Sequence, residues 1–460
     1  MKRNAAILLS LLLLIGLPPV GYGYFNRFEA ELVRATAPAR AWRYYQTAAQ
    51  LLFWEQGLYE QAGLTAFDAG ELEHALSLLL EAQARQSLTP QARLVLGEVY
   101  YRQGNFDAAY THAWLPLWKI GFAAPLLFTR LAEYAATKED AALEVLALQR
   151  LIELERTNAF AHYRLALLLA LEDPQMAIFH LKQSAHPQAK HLQTALQNAL
   201  TFDDSAYRHL LVGRALASVG EWRLALRSFR AATEQNPQYA EGWAWQAEAL
   251  YQLGEPAAQV QAFYQQALAL NPNAAGIQAM VGLYQERMRD YPRAEAHYRR
   301  AVQLEPENPA WRLALARILA HRDLPAALEQ YQMAVRLAPE QVEGWLALAA
   351  FCVEKEAFLE EVGLEAALHA YALQPENPDV LDLLGRALAL TGQVETAQVF
   401  YERAIGLEPL RPSTHFYLAL LYFQTGQSYK ARELFQQVAR LDPAGAYGRQ
   451  AADILARYFP

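Results

Sequence analysis

The chain has a single cysteine, Cys352, in 460 residues. An intramolecular disulfide is therefore excluded, and so is a zinc site built from paired cysteines. One cysteine does not identify a compartment. Positive charge is not in excess either: 40 lysines and arginines against 48 acidic residues leave a formal charge of −8. Bulk electrostatics thus argues against non-specific nucleic-acid binding. With 53% hydrophobic and 19% charged residues, the chain is too apolar for a disordered polymer and too polar for a multispanning membrane protein.

Catalytic signatures are missing as well. There is no G-x-x-x-x-G-K-[ST] phosphate loop, no G-x-S-x-G nucleophile elbow and no H-E-x-x-H pair. Of the eleven histidines, His180, His186 and His191 lie closest together. Their spacings do not place all three on one helix face, so they read as surface residues and not as a metal site. Glu354, Glu356, Glu360 and Glu361 read as an ordinary solvated face. No enzyme activity, cofactor or metal is expected.

What is present begins at the N-terminus. Lys2 and Arg3 precede an apolar run from Ala5 to Leu17, followed by Pro18, Pro19 and the stretch Val20 to Phe25. A basic start followed by about a dozen apolar residues is the build of an export signal. The positive-inside rule keeps Lys2 and Arg3 in the cytoplasm and sends the rest of the chain across. Counted to Phe25, the run reaches about 20 residues, the length that spans a bilayer. The proline pair is expected to break or kink such a helix. Three outcomes stay open: a retained anchor over 5–25, a signal cleaved near Gly21 or Gly23 with secretion of the remainder, and a buried N-terminal helix.

The rest of the sequence repeats itself. Prolines recur at Pro237, Pro272, Pro306, Pro339, Pro375, Pro409 and Pro443, in steps of 33 to 36 residues. A second ladder of small residues runs through Gly213, Ala247, Gly282, Ala316, Ala349, Gly385 and Ala419. A third runs through Ala225, Val260, Ala294, Ala327, Gly363, Ala397 and Ala431. Four residues after each member of the third comes an aromatic: Phe229, Tyr264, Tyr298, Tyr331, Tyr401 and Phe435, with Ala367 as the exception. A spacing of four places the small residue and the aromatic on one helix face. The small residue admits a neighbouring helix and the aromatic fills the space beside it. The proline stops the second helix, and Gly220, Gly254, Gly392 and Gly426 mark the turn between the two helices of a unit. A pair of this kind covers its apolar face only by stacking on the next.

These ladders resemble those of the tetratricopeptide repeat family. The unit Asp379 to Pro409 carries Leu384, Gly385, Gly392, Ala397, Tyr401, Ala404 and Pro409 at family positions. The resemblance implies an all-α, right-handed solenoid of about eleven helical hairpins. The expected organisation is a signal or anchor at 1–25, a linker and leading helix at 26–55, and degenerate repeats at 56–185. A junction helix follows at 186–205, then seven regular repeats at 206–443 and a capping helix at 444–460. The unit ending at Pro375, with Ala367 in place of the aromatic and a longer step, is expected to be locally loosened.

The resemblance further implies that first helices of successive pairs line a concave groove that holds a protein or peptide. The residue after each member of the second ladder is expected to face it: Arg214, Glu248, Leu283, Arg317, Ala350, Arg386 and Leu420. Leu210, Tyr251, Glu286, Arg287, Asp382, Phe416, Phe423 and Gln424 lie one turn away. No two neighbouring repeats supply the lysine and asparagine set with which chaperone co-factors of this family clamp a C-terminal carboxylate. Arg386 with Phe416, Leu420 and Phe423 suits instead an extended peptide with apolar anchors and an occasional acid, unless those aromatics pack against the neighbouring helix or the cap. The expected function is a protein-binding scaffold, extracytoplasmic and held to the cytoplasmic membrane, that assembles an envelope complex. A fixed structural subunit of a membrane complex is the alternative, and a cytoplasmic adaptor a third.

Overall fold

In the computed structural model, residues 2–459 are described, with side chains from residue 18 onward. Every regular element among them is helical. The leading helix, Lys2–Val33, runs through Pro18 and Pro19 without interruption, against the expected break. Its second half is held from outside by packing. Gly23, Asn26 and Ala30 are buried against the following helix, Pro38–Leu51, which restrains the helix beyond the backbone hydrogen bonds that proline removes. The apolar run Ala5–Leu17 lies outside the residues whose side chains are described. Among the described residues no helix is long and apolar enough to cross a membrane.

From Leu58 onward, helices mostly of 10 to 14 residues pack on their neighbours in the chain, with shorter segments only around Phe106–Lys119 and Leu359–Gly363. Several of their starts are fixed by side-chain caps. Asp140, Asn158, Asp173, Asp290, Asn308, Asp323 and Asn377 each accept from a backbone N–H of the first turn, which satisfies a donor that the helix itself leaves open. The turn inside a pair needs a left-handed residue. Gly392 takes φ +81°, while the N–H of Gln393 reaches back to the carbonyl of Leu388 at 2.8 Å, a Schellman closure. Arg289 adopts the same backbone region at φ +61° without being glycine, a strain of roughly 1–2 kcal/mol that the neighbouring packing offsets.

The ladders meet inside each pair. A Cβ placed on Gly385 would come within 2.9 Å of the Tyr401 ring, and one on Gly282 within 2.9 Å of Tyr298. Both tyrosines are buried. The close approach is thus the reason for a small residue at these positions, as the spacing implied.

Two pairs depart from this rule, and both contain a π-helical turn, Ala109–Trp114 and Leu359–Gly363. In both, alanine stands where the aromatic belongs, at Ala113 and Ala367. In the first the wider turn lets Trp114 meet Gly97, where a Cβ would come within 2.3 Å of the indole nitrogen. In the second, Glu356 and Phe358 turn the chain with positive φ. Gly363 then approaches Cys352 so closely that a Cβ would lie 2.6 Å from the cysteine Cβ. Cys352, Ala366 and Ala367 are all buried, and burial pushes the Cys352 thiol up to about 11. The expected loosening of this pair is therefore corrected: the extra residues are absorbed in the turn, and the core stays tight.

The chain forms two compact units, Met1–Ser228 and Phe229–Pro460, with the division inside the helix Trp222–Gln235. In the first, a single helix, Ala189–Ala199, packs between Pro174–Gln183 and Ser205–Ser218. The second ends in the helix Ala446–Tyr458, which packs on Ser428–Leu441 and Pro412–Gln424.

Candidate functional site

Most of the residues expected to face a partner are engaged with neighbouring repeats. Glu248 is buried, and Arg287 Nη1 donates to both its oxygens at 2.7 and 2.9 Å. The hydroxyl of Tyr264, an aromatic of the third ladder, donates to the same carboxylate at 3.1 Å. One repeat on, Arg317 donates through Nε and Nη2 to Glu286 at 2.7 and 2.8 Å, and the Tyr298 hydroxyl donates to Glu286 at 2.9 Å. Burial works against the charge on Glu286, but the Arg317 fork outweighs it and holds the carboxyl below its ordinary range. The Tyr264 and Tyr298 hydroxyls are pushed up, first by burial and then by the carboxylates they face. The first unit repeats the theme: Arg130 forks onto Glu98 at 2.7 and 3.1 Å, and Arg164 joins Glu144 and Glu221. These carboxylate–arginine pairs stitch several repeats to their neighbours.

Arg386 differs. It occupies the same place in its repeat as Arg317, one residue after the small residue of the second ladder. The partner of Arg317 stands four residues after Gly282, at Glu286. The corresponding residue, four after Ala349, is Val353. No carboxylate of the described residues lies within ion-pair distance of Arg386, whose guanidinium rests 4.3 Å from the centre of the Tyr417 ring. Asp382, one turn earlier, is buried. Burial raises its carboxyl, while Thr414 and the charges of Arg411 and Arg386 pull the other way.

Around this unpaired cation lies a pocket of about 400 Å³. Its walls come from the helices Val342–Lys355, Pro378–Leu390 and Pro412–Gln424, the first helices of three successive pairs, with Tyr401 at the floor. Val353, Ala389, Leu390, Leu420 and Leu421 supply its apolar surface, and Glu354, Glu356 and Gln424 its polar rim. Burial raises the Tyr417 hydroxyl to about 12, so the ring beside Arg386 stays neutral at physiological pH. An arginine placed over an aromatic face still has N–H groups to offer a carboxylate.

The structure thus brings together Arg386, Leu420 and Gln424 of the expected set. Phe416 is corrected: it is 5% exposed and packs on Phe435 and on Tyr447 of the last helix. Phe423 is half-buried under Tyr458 and Phe459. Both serve the cap, because the last repeat has no following pair to cover it. Glu248 is corrected likewise, being buried in an inter-repeat pair, whereas Arg317 is exposed but engaged by Glu286. Leu283 and Ala350 are half-buried against the core of the second unit, and Leu210 is buried. Tyr251 carries the Arg287 guanidinium 5.0 Å above its ring. Arg214 is exposed and belongs to the first unit, whereas the pocket residues belong to the second. Val353, Tyr401 and Tyr417 were not anticipated as pocket residues; no spacing marks Val353, because four residues after the small residues of the second ladder a carboxylate stands at Glu286 alone.

Of the histidine trio, only His180 departs from the expected surface position, while His186 is half-buried and His191 exposed. His180 is buried, its Nδ1 lying 2.9 Å from Nδ1 of His162. His186 stacks on Tyr163 with ring centres 3.8 Å apart. His191 hydrogen-bonds Ser218 at 3.2 Å.

Comparison with known proteins agrees with the fold. Family models described as tetratricopeptide repeat match residues 60–112, 210–275 and 281–342, and again 378–409 and 412–444. Among solved structures, yeast Tom70 is 16% identical over 95% of both chains, with a TM-score of 0.42. A tetratricopeptide repeat protein of Thermus thermophilus is 22% identical over 40% of this chain and all of its own, with a TM-score of 0.35. YrrB, described as having an unusual peptide-binding site, is 16% identical over 41% of this chain and 97% of its own, with a TM-score of 0.33. No curated protein sequence matches the chain. The matched segments together cover more than half of the sequence, and the chain belongs to the tetratricopeptide repeat family, whose fold supports protein–protein interaction.

Proposed function

We propose that this protein is a membrane-tethered scaffold. Its second unit holds an extended peptide segment that carries an acidic side chain beside an apolar one. The observation that carries the reading is Arg386, an arginine in the register of Arg317 that has Val353 at the position where Arg317 has Glu286. A half-buried cation without a carboxylate partner is unfavourable, and a ligand carboxylate would supply to Arg386 what Glu286 supplies to Arg317. Leu420, Leu421 and Leu390 would receive the apolar neighbour. The expected anchoring of residues 5–25 and an extracytoplasmic position of the repeats are part of the same reading. They are supported by the Lys2–Arg3 start and the apolar run that follows it.

Crosslinking in native membranes followed by mass spectrometry tests it. Wild type should yield a defined partner whose crosslinks map to 350–424, and Arg386→Glu should lose it. The same partner recovered equally with both proteins would reject the assignment of the site.

A further inference from the structure

The leading helix and the first interhelical turn expose a set of aromatics that the peptide site does not use. Tyr22, Tyr24 and Phe25 project from the helix Lys2–Val33, all exposed. Phe53 and Trp54 follow the helix Pro38–Leu51; they are 70% and 50% exposed and stand edge to face with ring centres 5.0 Å apart. The two groups come from separate stretches of chain but share one level. Leu52 packs on Gly23, where a Cβ would come within 2.7 Å of its Cγ, and this contact carries Phe53 and Trp54 alongside Tyr22 and Tyr24. One turn further from the N-terminus the character changes. Arg27 pairs with Glu55 at 2.6 Å and with Glu31 at 3.1 Å.

Along the leading helix the order is therefore basic residues, an apolar run, an aromatic level and an ion-pair network. From Ala5 to Phe25 a helix rises about 31 Å, the thickness of a bilayer's hydrocarbon core. Tyrosine and tryptophan favour the headgroup region, where an apolar ring and a polar edge are both satisfied. We infer that Tyr22, Tyr24, Phe25, Phe53 and Trp54 form an interfacial belt that seats the first helical hairpin on the lipid bilayer. The membrane contact then includes part of the repeat body, and the tether leaves the bilayer as a packed helix. This inference rests on the proposed tether. Phe28, exposed one turn beyond Phe25, lies past the charged edge and is left out of the belt.

The test uses the full-length chain in mixed phosphatidylcholine–phosphatidylglycerol vesicles. Cys352 is fully buried, so an introduced surface cysteine can be labelled selectively. Trp54→Cys and Arg40→Cys are each labelled with nitrobenzoxadiazole. Both sites are exposed, and Arg40 lies near the other end of the 14-residue helix Pro38–Leu51, on the order of 20 Å away. The inference expects the protein to float with the vesicles. It also expects a nitroxide near the lipid headgroup to quench the probe at 54 by about two-fold or more, a deep nitroxide to quench it less, and the probe at 40 to be unaffected. Flotation with no quenching at 54 would overturn the belt while leaving the tether standing. Equal quenching at both positions would overturn it too, because the hairpin would then lie flat. Intact full-length protein that fails to float would overturn the tether, and the belt with it.

Discussion

The repeats at 240–319 and those at 342–424 are built on the same ladders, yet their inward faces do opposite things. In the first region each inward arginine is neutralised by a carboxylate of the preceding repeat, Arg287 by Glu248 and Arg317 by Glu286. In the second, Arg386 meets Val353 and Tyr417 instead, with a pocket beside it. The paired region uses its charges to hold repeats together. The second region leaves one arginine without a carboxylate partner among the described residues, and the proposed site assigns that charge to a ligand. A solenoid can assign one helix register to either task because each repeat touches only its neighbours.

The largest effect expected from breaking this contrast is on stability in the paired region. Glu248→Ala removes the partner of Arg287 and of the buried Tyr264 hydroxyl at once. It should cost about 2–4 kcal/mol, read as a fall in the urea midpoint. Arg386→Ala should cost under about 1 kcal/mol, since only its rest on the Tyr417 ring is lost. Equal losses would mean that the two arginines do the same work.

Converting the second region into the first is the sharper test. Val353→Glu places a carboxylate in the register of Glu286, within the reach that Glu286 has to Arg317. It should occupy Arg386 and weaken an acidic peptide by about 10- to 100-fold, with unchanged far-ultraviolet circular dichroism. Retained affinity in a folded Val353→Glu protein would remove Arg386 from the site.

A smaller effect is expected in acid. The Glu286 carboxyl is held below its ordinary value of 4.5 in the folded chain. Its contribution is therefore fully present above that value and is lost as pH falls through the lowered one. Glu286→Gln should reduce stability at pH 7 by about 1 kcal/mol and should narrow its deficit against wild type as the pH drops below 4. A deficit independent of pH would mean that the fork with Arg317 contributes nothing through charge.

The periodic parts of this architecture were legible in the sequence for a clear reason. Gly385 with Tyr401, and Gly282 with Tyr298, are contacts within one hairpin, and a fixed spacing reports them directly. The inward register also named Arg386, Leu420 and Gln424 correctly as neighbours. What could not be read was which inward residues are already engaged. The partner of Arg317 lies 31 residues earlier, at a position that carries a carboxylate in that repeat alone. Phe416 and Phe423 misled for a related reason: in the last repeat the final helix borrows positions that elsewhere would face outward. The first π-helical turn escaped notice because an inserted residue shifts the aromatic by one place, from Ala113 to Trp114, whereas the second has no aromatic to shift. Trp114 serves the role that the spacing assigned to Ala113.

The most direct measurement of the central claim is selection of random peptides on the purified protein, run in parallel with wild type, Arg386→Glu and Val353→Glu. The account predicts that wild type enriches extended sequences with an aspartate or glutamate within about three residues of a leucine, isoleucine or phenylalanine. Both variants should lose that enrichment while keeping their fold. Enrichment of the same acidic sequences by all three proteins would contradict it.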